Sequence, residues 1–98
     1  MATYQYQTQG TCSRAIQFTL DGDQIKDVAF MGGCNGNLKG IGRLVEGQNA
    51  SNIAELLTGT TCGFRDTSCP DQLAHAIAEA QAIERGERFP GRGIMKVD

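Results

Sequence analysis

The fold is decided by residues 67–86, which read TSCPDQLAHAIAEAQAIERG. Ser68 and Asp71 have the three-residue spacing of a capping box, and Pro70 falls in the first turn that follows. Apolar residues then recur every three or four positions up to Gly86, as on one face of a helix. These apolar residues are Leu73, Ala76, Ile77, Ala80 and Ile83. The stretch predicts a helix that begins within a residue or two of Cys69.

The first third of the chain supplies a sheet. Residues 4–9 alternate tyrosine or threonine with glutamine, and residues 16–20 alternate large apolar residues with polar ones. Both have the period of two that is typical of strands. Asp21 and Gly22 form a turn signal before a third β-prone run over residues 25–31. Three strands joined by short links predict an antiparallel meander, with one face covered by helices.

Two shorter helices are expected between the strands and residue 67. Apolar residues with helical spacing run from Leu38 to Val45 and end at Gly47. A second short helix is predicted from a cap at Ser51 to a stop at Gly59.

We therefore predict an α+β fold, a three-stranded antiparallel sheet with about three helices on one face. A chain of 98 residues makes one domain, which we place over residues 1–86. Residues 87–98 show no period and contain Pro90, Gly91 and Gly93, so we expect a partly mobile tail.

Composition excludes several classes of protein. A net charge of -2 with 9 basic residues does not indicate a nucleic-acid-binding surface, and no apolar stretch is long enough to span a membrane. The N-terminus lacks the pattern of a signal peptide, so we expect a cytoplasmic protein with reduced thiols. No Ser-His-Asp or paired-carboxylate arrangement is visible. We expect no catalytic residues and no activity from the chain on its own.

Four cysteines fall where a predicted strand or helix begins or ends, outside the apolar stripes: Cys12, Cys34, Cys62 and Cys69. In a meander, the second strand begins at the sheet edge where the third ends, so Cys12 and Cys34 can be neighbours. Cys62 and Cys69 flank six residues, a wider loop than the C-x2-C of zinc ribbons. A helix N-terminus at Cys69 would lower the pKa of its thiol.

This placement favours a shared metal or cluster site. The alternatives are four unrelated thiols or two disulfides, and the second conflicts with a reducing compartment. His75 could be a further ligand, but a histidine within the third helix is more simply interpreted as solvated or at the core edge.

Thr67-Ser68-Cys69-Pro70-Asp71, followed by Gln72-Leu73-Ala74, resembles the signature of the TSCPD domain. The likeness covers nearly all of the chain and is to the small stand-alone members with four cysteines. The same domain occurs at the C-terminus of some adenosylcobalamin-dependent ribonucleotide reductases. The resemblance implies an accessory role in deoxynucleotide metabolism and DNA synthesis, since the chain has no room for a reductase barrel.

A second likeness is to the iron–sulfur scaffolds of the IscU/NifU type. Cys12 before a strand, Cys34 after the next and Cys69 at a helix start resemble the three cysteines of those scaffolds, and imply an IscU/NifU-like arrangement. The chain departs from them at Arg14, where the scaffolds have aspartate, and at Ser68, where they have histidine. Cys62 has no counterpart in the scaffolds. As a fourth thiolate ligand it would close a site that three cysteines leave open.

The leading hypothesis is a non-catalytic domain in which the four cysteines bind one zinc ion. The alternative is an iron–sulfur scaffold or carrier, because four thiolates also suit a cluster. A second alternative is thiol redox exchange by Cys62 and Cys69 with a reductase partner. Whether any small molecule or nucleotide binds is left open.

Residues 4–9 lie near the terminus and carry no Lys or Pro that would block strand pairing. We expect this strand at a sheet edge and a weak homodimer through it.

Overall fold

The structure is a computed structural model that describes residues 2–8, 13–32, 35–60, 67–86 and 94–97. Its elements are β1 (Ala2–Gln7), β2 (Ser13–Asp21), β3 (Gln24–Gly32), α1 (Asn35–Val45), α2 (Ala50–Leu57), α3 (Cys69–Glu84) and β4 (Ile94–Lys96). The predicted α+β class, the antiparallel sheet and the three helices are confirmed.

The sheet has four strands rather than the three predicted, in the order β3-β2-β1-β4. All neighbouring strands are antiparallel. The fourth strand, Ile94–Lys96, pairs with Tyr4 to Tyr6 of β1 and lies in the segment expected to be a mobile tail. Residues 87–93 lie outside the described residues, so mobility there stays a prediction.

The predicted edge position of β1 is wrong. This strand pairs with β2 on one side and with β4 on the other. Its sequence shows the strand period, but that period carries no information about which strands lie beside it. The homodimer itself stays a prediction, but β1 has no free side through which it could form as predicted.

The core lies between one face of the sheet and the helices. The tyrosines of β1 alternate inward, and the Tyr4 ring stacks on Phe18 of β2 with 5.9 Å between centroids. Leu73 and Ile77 of α3 are fully buried in the same cluster. The apolar residues that recur with the helical period in the sequence thus form the face of α3 that contacts the core.

The helix starts follow local capping. Ser68 is the N-cap of α3, as predicted, and its side chain accepts a hydrogen bond from the Asp71 amide. The predicted cap of α2 at Ser51 is wrong by two residues: Asn49 is the N-cap, and its Oδ1 accepts from the Asn52 amide at 2.9 Å. Asn and Ser are comparable caps, so two candidates this close could not be separated from sequence.

Helix α1 packs closely on β3. A Cβ added to Gly42 would lie 2.9 Å from the carbonyl oxygen of Val28, whereas one added to Gly40 would meet no atom within 4 Å. The glycine at position 42 therefore permits the close approach of helix and strand. Within the described residues, no helix has the length and apolarity needed to cross a membrane.

Candidate metal centre

One of the four predicted ligands, Cys69, falls among the described residues; Cys12, Cys34 and Cys62 lie outside them. Within the described part of the chain, no group of three or more His, Cys, Asp or Glu side chains could hold a metal ion. The structure describes a residue within two positions of each of these cysteines, however, and these residues show how the elements meet.

The start of β2 and the end of β3 meet at one end of the sheet. Ser13, which follows Cys12 directly in sequence, pairs with Gly32, which precedes Cys34 by two residues. This is the arrangement that the predicted meander required. We call this end of the sheet the Ser13–Gly32 end.

Helix α3 begins at the same end. The Tyr4 hydroxyl donates a hydrogen bond of 3.2 Å to Glu84 in the last turn of α3. The next inward tyrosine, Tyr6, donates to Glu79, which is closer to the start of the helix. Helix α3 therefore runs antiparallel to β1, and its first turn lies where β1 ends and β2 begins.

Cys69 occupies the first position of α3 and is only 6% exposed. The Ser68 side chain accepts from the Asp71 amide at 3.1 Å and donates to the carbonyl oxygen of Thr60. The first turn is thus capped and tied to the chain that leaves α2. A helix N-terminus favours negative charge on its first residues, whereas burial disfavours a charged sulfur.

Asp71 joins three parts of the chain. Its Oδ1 accepts from the Gly59 amide at 2.7 Å, and its Oδ2 accepts from the Thr67 hydroxyl and lies 3.3 Å from Nε2 of His75. Burial alone would raise the pKa of Asp71, but the hydrogen bonds from Thr67 and Gly59, together with His75, hold the pKa below its usual value. Sequence reasoning assigned Asp71 a capping role and missed its hydrogen bond to Gly59.

Residues 61–66 connect two fixed points. Before them, Thr60 accepts from Ser68 and Gly59 donates to Asp71; after them, the Thr67 hydroxyl donates to Asp71. Both ends of this connection, which includes Cys62 in sequence, are therefore held at the first turn of α3.

A polar strip continues along α3 from Asp71 through His75 to Glu79. Glu79 is 9% exposed, and its Oε1 is buried without a hydrogen-bond partner. Burial raises the pKa of Glu79 despite the opposing effects of Tyr6 and His75. Burial, followed by the charge of Glu79, raises the pKa of Tyr6 to about 12. The four-residue spacing of Thr67, Asp71, His75 and Glu79 is a sequence signal that could have revealed this strip.

A family model described as TSCPD domain matches residues 2–81, from the first strand into the third helix. No curated protein and no solved structure matches the chain.

Proposed function

The chain belongs to the TSCPD-domain family, and from this premise we propose that it is a non-catalytic metal-binding domain. The proposed ligands of one zinc ion are Cys12, Cys34, Cys62 and Cys69.

The observation that carries the proposal is the convergence of the chain around the Ser13–Gly32 end. Cys12 is one residue from Ser13, Cys34 is two residues from Gly32, and Cys62 is two residues from Thr60. Each residue spans at most about 3.3–3.6 Å of extended chain. Each of these cysteines is therefore within one or two residues of chain from a described residue that lies at this end of the sheet or, for Thr60, contacts the start of α3.

The chemistry of the donor set fits zinc. Four thiolates form a closed tetrahedral site with no open position for a substrate, and such sites stabilise folds. The helix start at Cys69 lowers the cost of a deprotonated sulfur there. Three of the ligands follow β1, β3 and α2 in sequence and the fourth begins α3, so a bound zinc would hold together parts of the chain that are distant in sequence.

We also propose an accessory or interaction role, with a protein partner in deoxynucleotide metabolism. This rests on the resemblance to the domain found at the C-terminus of some ribonucleotide reductases, and not on a feature of the described site. The cytoplasm is the proposed location, since reduced thiols are needed for the ligand set.

Elemental analysis of protein purified without chelator tests the metal. The expected result is one zinc per chain, lost together with thermal stability in Cys62→Ser. Ser68→Ala is the control, because it removes the cap of α3 at a cost of about 1 kcal/mol but keeps all four thiols. It should unfold at a lower temperature and still contain zinc. A folded parent chain without bound metal would refute the proposal.

The same purification, carried out anaerobically, separates zinc from the iron–sulfur alternative. If the protein contains iron and inorganic sulfide and absorbs visible light, the site holds an iron–sulfur cluster and not zinc, since four thiolates suit both. Fast alkylation of Cys62 and Cys69 in metal-free protein would instead favour thiol exchange with a reductase partner.

A further inference from the structure

A groove of about 410 Å³ lies between helix α1 and strand β3. Among the described residues, it is lined by Val28 of β3 and, from α1 and the turn after it, by Lys39, Gly42, Arg43 and Glu46. Residues three and four positions apart on a helix share one face, so the α1 residues line the groove from the same side. The volume is within the range of about 300–1,000 Å³ that is typical of sites for small molecules.

An irregularity in β3 forms the opposite wall of the groove. The register between β2 and β3 shifts between Gln17 and Thr19, and there Asp27 and Val28 together lie opposite a single residue of β2. Asp27 has a positive φ of 55°, a conformation that is uncommon outside glycine. A β-bulge of this kind bends the strand and redirects its side chains, and such bulges are frequent beside functional sites.

The two positive charges of the groove have no carboxylate partner among the described residues. Lys39 and Arg43 are both exposed and are one helical turn apart, a spacing at which like charges repel each other. The ion pairs within the described part of the chain lie elsewhere. An anion bound between Lys39 and Arg43 would remove this repulsion.

The carboxylate nearest to Arg43 in sequence has another role. Glu46 is three residues further along the chain, but its Oε1 accepts a hydrogen bond of 2.9 Å from the Asp27 amide. Glu46 therefore stabilises the bulge in β3. Its engagement there leaves the Arg43 guanidinium available to a ligand.

We propose that this groove binds a small phosphate monoester, with the phosphate group between Lys39 and Arg43. A phosphate monoester carries a charge of about −1.5 to −2 at neutral pH and has three strong acceptor oxygens. The planar guanidinium of Arg43 suits two of these oxygens, and the Lys39 ammonium adds a second positive charge. The lining side chains carry two positive charges and one negative charge, whereas the whole chain has a net charge of -2.

The distribution of charge along the groove places the phosphate at its Lys39 end. Glu46 and the C-terminal end of α1 make the other end negative. Lys39 precedes Glu46 by seven residues, or about 10 Å along the helix axis, and salt screens exposed charges beyond about 8 Å. The groove is larger than one phosphate group, and the half-buried Val28 side chain offers an apolar surface to the organic part of the ligand. This site uses none of the cysteines and does not depend on the zinc proposal.

Titration of the isotope-labelled full chain with phenyl phosphate, at constant ionic strength, tests the inference through the amide resonances. The resonances of Lys39, Gly40 and Arg43 should shift and saturate, with a dissociation constant in the millimolar range. Arg43→Gln and Lys39→Gln should each weaken binding by about threefold to fivefold, the contribution of an exposed charge pair. Arg14→Gln is the matched control, because Arg14 is exposed outside the groove and loses the same charge, and it should bind as the parent does.

A variant with the opposite expected effect makes the test sharper. Glu46→Gln keeps an oxygen that can accept from the Asp27 amide and removes the negative charge, so it should bind phenyl phosphate more tightly than the parent. Glu55→Gln, at an exposed position of α2 outside the groove, is its control and should leave binding unchanged. Circular dichroism checks that each variant is folded.

Three results would overturn the inference. The first is a parent chain that shows no saturable shift up to tens of millimolar phenyl phosphate. The second is an equal loss of binding in Arg14→Gln and Arg43→Gln, which would indicate a general effect of charge. The third is inorganic phosphate that binds as tightly as phenyl phosphate, which would exclude a contribution from the organic part of a monoester.

Discussion

Replacing Asp71 by alanine should lower the free energy of unfolding by about 3 kcal/mol. The variant loses the acceptor of the Gly59 amide, 2.7 Å away, and that of the Thr67 hydroxyl. Hydrogen bonds to charged groups contribute about 1.5–3 kcal/mol each, and the lower value applies here because Gly59 is exposed. The pair with His75, whose side chain is half exposed, adds less than about 1 kcal/mol.

The pH dependence of this loss has a definite sign. The pKa of Asp71 is lower in the folded chain than in the unfolded one. Its stabilising effect is therefore complete above the unfolded value of about 3.9 and is lost as the pH falls through the lower folded value. Asp71→Asn keeps the shape of the side chain without its charge, so this variant should differ most from the parent at pH 7 and least at the lowest pH.

Urea unfolding followed by circular dichroism, at pH 7 and in steps down to pH 2, measures both effects. His75→Ala is the control, because it removes the pair between Asp71 and His75 and leaves the hydrogen bonds from Gly59 and Thr67. It should lower stability by less than about 1 kcal/mol. An Asp71→Ala variant within about 1 kcal/mol of the parent, or an Asp71→Asn deficit independent of pH, would refute the reasoning.

Two further predictions use the same unfolding assay. Glu79→Gln should raise stability by about 1 kcal/mol at pH 8, because it removes the charge from a buried carboxylate with a partnerless oxygen. The gain should shrink at pH 4, because burial raises the pKa of Glu79 in the folded chain. Below the pKa of this residue in the unfolded chain, the carboxyl is protonated in both states and its charge no longer lowers stability. A gain that does not change with pH contradicts this. Gly42→Ala should lower stability by about 1–3 kcal/mol through its contact with the Val28 carbonyl. Gly40→Ala, with open space around it, should raise stability by up to about 1 kcal/mol, and equal gains at the two positions would disprove the close packing of α1.

The sequence predicted features that depend on neighbouring residues. The start of α3 was predictable because Ser68 caps the helix by accepting a hydrogen bond from the Asp71 amide, three residues further on. The turn between β2 and β3 was predictable because Gly22 adopts a positive φ of 59° that glycine accepts at little cost. Each signal lies within a few residues of the structure it produces.

Features that depend on distant contacts were not predictable in this way. Strand β4 has three residues, too few for a period, and it is defined by pairing with Tyr4 to Tyr6 at the other end of the chain. In the candidate site, the position of Cys69 at a helix start followed from local signals, but its burial did not. The hydrogen bond from Gly59 to Asp71 did not, because it depends on how α2 and α3 meet.

The pairing of β1 with β4 also bears on the order in which the molecule can form. Strand β1 can pair with β2 as soon as both have been synthesised, but its other side must wait for β4. At about 5–20 residues per second, synthesis of the intervening chain takes roughly 4–17 s. During this time the backbone groups on one side of β1 have no strand to pair with, and closing so long a loop makes the last pairing slow. A chain halted before Ile94 would present this side of β1 to other nascent chains, so the three residues of β4 complete folding and also protect the first strand from misassembly.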